Sequence, residues 1–349
     1  MSDTDDVIIR REGAAGIISL NRPKAIHALN RAMDHAMTKA LLEWRDDPAV
    51  RVIILDHSEG RGFCAGGDIA FLRNSALSDG GEGGRKFFFE EYRLNHLMFT
   101  YPKPIVAFMD GITMGGGVGI SQPARFRVAT ENTRLAMPET GIGLFPDVGG
   151  GWYLARLAGR LGQFLALTGA RLDGAECLWA GLATHYLSAD SQAEAKARLV
   201  AGHDPAQVLA AMAASPPPPR IEGNLAAINR HFASDRLEDI FASLAADDSE
   251  WAAKELATLK TKSPQACKVA LRQLHDSLAC ADFAANMVME YRIGARVLTL
   301  PDFAEGVRAV IVDKTMDARW NPATPEGVSD TLIDSIFAPL PAQEEWTPL

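Results

Sequence analysis

The chain has 349 residues, with 35 Lys and Arg against 44 Asp and Glu, a formal net charge of −9 and 47% hydrophobic residues. That length holds a sizeable core and one or two domains, and the composition is that of an ordinary globular protein. The acidic balance excludes bulk attraction to nucleic acid or to an anionic membrane, so an anionic substrate would need a local cluster of Lys or Arg.

No run of about twenty apolar residues predicts a membrane helix. The acidic start, Met-Ser-Asp-Thr-Asp-Asp, lacks the basic and apolar parts of a signal peptide and the Arg-rich character of a transit peptide. It points to the cytoplasm, although an organellar leader could have been removed. Val7 to Arg11 and Gly16 to Leu20 read as short strands, and Asn30 as the N-cap of an amphipathic helix over 31–45 with Met33, Met37, Leu41 and Trp44 near one face. Val52 to Leu55 is a buried-strand pattern leading into a glycine turn, Phe63-Cys64-Ala65-Gly66-Gly67-Asp68. Residues 78–84, Ser-Asp-Gly-Gly-Glu-Gly-Gly, predict a flexible loop, and 85–99 a helix.

Pro104 to Met109 predicts a second buried strand, followed by a second glycine turn, Gly111-Ile112-Thr113-Met114-Gly115-Gly116-Gly117-Val118-Gly119, and helix from Gly117 on. Arg125 to Ala129 and Thr133 to Met137 suggest two more strands. This alternation predicts an α/β core with ligand contacts at strand ends. After about Gly149 the pattern is mostly helical, with a stiff spacer at Pro216 to Pro219, proline at the first position of a helix capped by Ser263, and a helical region over 205–336.

Glycine lets a backbone present bare N–H groups close to a ligand, and two such donors can hold the charge that develops on an attacked carbonyl oxygen. Neither turn is a Walker A loop or a dinucleotide fingerprint. Asp68 can cap a following helix, which would aim the nearby N–H groups. A carboxylate pair lies downstream: Glu139 and Asp147, in Met-Pro-Glu-Thr-Gly-Ile-Gly-Leu-Phe-Pro-Asp-Val-Gly-Gly-Gly. Both follow proline, as solvated turn residues often do. The apolar residues between them favour burial, which would raise a carboxyl pKa and suit it to proton transfer. Of Glu90 and Glu91, after Phe87-Phe88-Phe89, only one could face inward. The four cysteines are scattered, with no CxxC and no Cys/His cluster, so reduced thiols and no metal site are expected. Cys64 reads as a small turn residue, not a nucleophile.

The two turns, with Asn-Arg-Pro-Lys-Ala near the N-terminus, resemble the crotonase (enoyl-CoA hydratase/isomerase) superfamily. Within it the chain is most similar to the 3-hydroxyisobutyryl-CoA hydrolases, at Phe88-Phe89-Glu90-Glu91-Tyr92, at Phe126 to Glu131, at Met137 to Gly151, at Phe164 to Gly169, and in the tail at Asp302 to Ala309 and Trp320-Asn321-Pro322. The resemblance implies a ββα-spiral catalytic core over 1–200, with a mostly helical region over 201–349 packed on it. It implies an acyl-CoA thioesterase that needs no cofactor beyond the CoA of its substrate. The implied oxyanion donors are the N–H groups of Ala65 and Gly116. Glu139 would be the principal catalytic carboxylate and Asp147 the second. Glu91 would meet the substrate hydroxyl, Gly66, Gly67 and Asp68 would line the acyl site, and Lys24, Ala25 and Ile26 would form the CoA-binding segment. Hydratases of the superfamily carry a second glutamate where this chain has Gly119, which favours hydrolysis over hydration. An enoyl-CoA hydratase or isomerase and a non-catalytic acyl-CoA-binding protein are the alternatives. Relatives are often trimers or hexamers, which implies a homo-oligomer, although the long helical tail could cover the trimer surface.

Overall fold

The computed structural model describes residues 4–349, so the first three residues of the acidic start lie outside it. β1 (Val7–Glu12) and β2 (Ala15–Leu20) pair antiparallel across Gly13 and Ala14. Every residue of β2 is buried, as in a strand covered on both faces. Asn30 accepts the N–H of Met33 at 3.0 Å and starts α1 (Arg31–Arg45), whose buried face holds Met33, Met37, Leu41 and Trp44. β3 (Val52–His57) runs parallel to β2.

α2 (Ile69–Ser78) and α3 (Glu82–Phe99) follow. The loop expected over 78–84 shrinks to three residues. Gly83 and Gly84 lie in the first turn of α3, their N–H groups accepted by Asp79 at 3.2 Å and by Ser75 at 2.8 Å. A Cβ at Gly84 would stand 2.5 Å from Leu298, so this glycine permits a close helix contact instead of marking a loop.

β4 (Ile105–Phe108), β5 (Ile112–Met114), α4 (Gly116–Ser121), β6 (Phe126–Ala129) and β7 (Arg134–Ala136) continue the alternation. α5 (Gly150–Ala155), α6 (Leu161–Thr168), β8 (Leu172–Asp173), α7 (Gly174–Trp179), β9 (His185–Tyr186) and α8 (Gln192–Val200) complete the first two hundred residues. One sheet runs in the order β1-β2-β3-β4-β6-β9, parallel from β2 onward. A second holds β5, β7 and β8. The glycine turns follow β3 and β5, at the carboxyl ends of strands where open α/β sheets place ligands.

The remainder is helical: α9 (Pro205–Ala211), α10 (Leu225–His231), α11 (Leu237–Ala245), α12 (Glu250–Leu259), α13 (Pro264–Ser277), α14 (Phe283–Val297), α15 (Pro301–Val307) and α16 (Asp330–Phe337). Ser263 caps α13 by accepting the Ala266 N–H at 3.0 Å, with Pro264 at the first helical position. One apolar cluster unites this region with the core, bringing Phe88, Tyr92 and Phe145 together with Leu274, Phe283 and Met287. No helix among the described residues is long and apolar enough to cross a membrane.

The chain end docks on α3. Trp346 is 2% exposed, and its indole N–H donates to the Phe89 carbonyl at 3.1 Å. Trp346→Ala should cost about 3–5 kcal/mol, the range for emptying a buried aromatic site. Equilibrium denaturant unfolding reads this directly; a loss below about 1 kcal/mol would show that the end does not pack there.

Candidate active site

The first glycine turn is pinned along its backbone. Cys64 N–H donates to the Ile112 carbonyl, Ala65 N–H to that of Ile26 and Asp68 N–H to that of Leu29, while the Gly66 carbonyl accepts from Leu29, all at 2.8–2.9 Å. The segment 23–29 braces the turn through these bonds, with Ile26 and His27 in left-handed backbone conformations. Asp68 accepts the Phe71 N–H at 3.1 Å, capping α2, and pairs with Arg22 at 3.0 Å.

One expected donor is therefore corrected. The Ala65 N–H is engaged by Ile26, so it cannot face a ligand. Two residues on, the N–H of Gly67 has no partner among the described residues, and neither has that of Gly116. These two free donors are neighbours: a Cβ at Gly116 would lie 3.2 Å from the Gly67 nitrogen. Gly115, with φ +47°, supplies the bend that presents the second of them.

Both groups open into a cavity of about 520 Å³, lined also by Ala65, Gly66, Glu91, Glu139 and Asp147. Glu139 begins a short 3-10 turn, Glu139–Ile142, and is 4% exposed. Its Oε1 approaches Gly115, and its Oε2 has no partner. Burial raises its pKa well above the usual carboxyl value, and the charge of Asp147 adds to the rise. Asp147 is buried too. Burial pushes it up to about 7, opposed by the Tyr92 hydroxyl, which donates to Oδ2 at 2.9 Å. Both carboxyls are thus held above their ordinary values, and so close a buried pair resists losing both protons together.

Of the two adjacent glutamates on α3, Glu91 points inward and Glu90 lies at the surface with Arg31. Glu91 Oε1 is buried without a partner, directed at Gly116, where a Cβ would stand 2.8 Å away. Burial raises its pKa, with the charges of Asp34 and Asp147 contributing. At position 119 a Cβ would fall 2.5 Å from Val148 Cβ. Val148, next to Asp147, fills the space that a side chain at 119 would need.

Lys24, Ala25 and Ile26 do not line this cavity. Lys24 is exposed on a 3-10 turn, and the segment reaches the site only through its backbone. The cations in the lining are Arg171 and Lys262, and neither has a carboxylate partner among the described residues. Burial lowers the pKa of Lys262. Nothing local in the sequence marks these two, and Tyr92 stood in a recognised stretch without an assigned role. Cys64 is buried, its thiol pushed up to about 12 by burial, which suits a packing residue rather than a nucleophile. Among the described residues no His, Cys, Asp and Glu side chains cluster as a metal site.

Tyr92→Phe removes the hydroxyl that favours ionised Asp147. The Asp147 midpoint should then rise, by about 1 on the pH scale for the loss of a hydrogen bond to a charged group. A carbon-13 carboxyl NMR titration measures it, and an unmoved midpoint would show that the bond has no hold on the carboxylate.

The enoyl-CoA hydratase/isomerase family profile matches residues 15–337. A mitochondrial 3-hydroxyisobutyryl-CoA hydrolase of Xenopus tropicalis is 43% identical over 349 residues, spanning 96% of this chain and 89% of the relative. The human 3-hydroxyisobutyryl-CoA hydrolase, mitochondrial, is 39% identical over 350 residues, with the same coverage. A structure described as a carnitinyl-CoA dehydratase from Mycobacterium thermoresistibile superposes with a TM-score of 0.93 at 38% identity, covering 99% of both chains. Another, described as an enoyl-CoA hydratase from Rhodobacter sphaeroides 2.4.1, gives 0.92 at 38% identity over 98% of this chain and 100% of its own. With a family profile matched along nearly its whole length, the chain belongs to the enoyl-CoA hydratase/isomerase family.

Proposed function

We propose that the protein hydrolyses 3-hydroxyisobutyryl-CoA to 3-hydroxyisobutyrate and free CoA, a step of valine breakdown. The observation that carries this is the packing of Val148 against Gly119, which leaves Glu139 and Asp147 as the carboxyl pair beside the two free N–H groups. A hydratase of this family needs a second glutamate at 119, and here its space is filled. The relatives named as hydrolases support the same reaction.

The thioester oxygen sits between the N–H groups of Gly67 and Gly116, which hold its developing charge. In the reactive form Glu139 is the carboxylate and Asp147 carries the proton. Glu139 then takes a proton from water, whose oxygen adds to the carbonyl carbon, or attacks that carbon itself and leaves an anhydride for water to open. The C–S bond breaks, and Asp147 returns the proton to the departing thiolate. Glu91, with its unpartnered oxygen, takes the hydroxyl of the acyl group.

Arg171 and Lys262 provide the local positive charge that an acidic protein needs to hold CoA phosphates, and the apolar rim at Ile311 and Met316 suits the arm between phosphate and thioester. The named relatives are mitochondrial proteins.

Release of free thiol from 3-hydroxyisobutyryl-CoA is the direct test. Wild type should release thiol, and Glu139→Gln should lose about 100-fold or more in kcat. No release by folded wild type, or full activity in the variant, would overturn the proposal. The second reading, hydration of an enoyl-CoA, draws on the solved relatives described as a hydratase and a dehydratase. Crotonyl-CoA run in parallel separates the two, because hydration consumes enoyl absorbance without freeing thiol. Tight binding of both esters with no turnover would favour a binding protein instead.

Lys262→Met should raise KM for the CoA ester by about tenfold, the scale of one hydrogen bond to a charged group, with kcat little changed. A truncated thioester lacking the phosphates should respond equally to both proteins. Equal KM values for the CoA ester would remove Lys262 from the phosphate contact.

A further inference from the structure

Glu290 of α14 is fully buried, and no Lys or Arg pairs with it among the described residues. It instead gathers four N–H donors. Its Oε2 accepts from Gly149 N–H at 2.7 Å, and its Oε1 from Gly151 N–H at 3.0 Å, Gln273 Nε2 at 3.0 Å and Asn286 Nδ2 at 2.8 Å. Gln273 Nε2 also donates to the Pro146 carbonyl at 2.7 Å. Asn286 is held in turn, its Oδ1 accepting from the Ser277 hydroxyl at 2.7 Å.

The backbone is thus gripped on both sides of Asp147. Pro146 precedes it, and Gly149 and Gly151 follow it. Every grip comes from the helical region, from α13 and α14, more than 120 residues further along the chain. Three glycines in a row, Gly149 to Gly151, have little conformational preference of their own, so an outside anchor decides where the turn lies. A carboxyl group can accept from two backbone donors and two side-chain amides at once, which explains why it is retained in an apolar interior.

We propose that Glu290, with Gln273 and Asn286, is a positioning residue for the reaction: it sets the place of Asp147 from the helical region without touching substrate. Burial raises the Glu290 pKa to about 8, its hydrogen bonds oppose the rise, and the charge of Asp147 adds to it, so the two carboxyls sense each other. The link to reaction rests on the proposed thioester hydrolysis, whereas the link to the turn does not.

Two variants test it. Glu290→Gln replaces an accepting oxygen with an amide that meets further N–H groups. Gln273→Met keeps length and removes the hold on Pro146. Hydrogen–deuterium exchange on the intact protein without substrate should show residues 147–155 exchanging at least tenfold faster in each variant, with β3 unchanged. With the CoA ester, kcat should fall at least tenfold and KM change less than threefold. Wild-type exchange rates at 147–155, or faster exchange spread evenly through the chain, would overturn the proposal. So would failure of both variants to fold, since the cluster would then hold the whole fold and not one turn. Exchange is read without turnover, so a wild type that releases no thiol sinks the proposed reaction and leaves this test standing.

Discussion

The peptides after β3 and β5 pass so close that a Cβ at Gly117 would stand 2.4 Å from the Cys64 carbonyl oxygen. The approach is locked by Met114 N–H donating to that same carbonyl at 2.9 Å and by Cys64 N–H donating to Ile112. A side chain at 116 or 117 would drive the turns apart. With them pressed together, Gly67 and Gly116 lie side by side in the cavity wall, and α2 and α4 both begin there. The helix, strand and bracing segment around the site all serve to hold that contact, and the carboxyl groups matter only because it exists.

The electrostatics of the site are those of an acid interior. Glu91, Glu139 and Asp147 are buried around two backbone donors, with cations only at Arg171 and Lys262. Asp34 lies on α1, its two oxygens without partners, and its charge bears on Glu91. Carboxyl groups so placed cannot all ionise together. The Tyr92 hydroxyl favours the ionised form of Asp147, while burial favours the neutral form of the others. Such a site keeps donors and acceptors side by side in a largely buried cavity, where fixed dipoles act more strongly on a developing charge than they do in water.

Much of the fold was legible because its signals are local. Asn30, Asp68 and Ser263 cap the helices that their positions suggested, and the apolar runs became buried strands. Gly83 and Gly84 misled because composition cannot tell a loop from a helix turn that a distant Leu298 approaches closely. In the site, Glu139, Asp147, Glu91 and Gly116 meet in one cavity. The donor in the first turn lies at Gly67 instead of Ala65 because a carbonyl from Ile26, 39 residues earlier, takes the Ala65 N–H. Lys262, Gln273 and Glu290 were invisible for the same reason: their importance arises from contacts across the chain, not from neighbours in sequence.

The Gly119–Val148 contact constrains how one chemistry can turn into another. A glutamate placed at 119 meets Val148, and trimming Val148 alone opens a void beside Asp147. Each single change is therefore unfavourable, and because a side chain at 119 meets the Val148 Cβ itself and Asn95 Nδ2, trimming Val148 does not clear the space. The positions are coupled sterically, so a route from hydrolysis to hydration through single substitutions crosses a poorly packed intermediate. The position of one Cβ, that of Val148, thus holds glycine at 119.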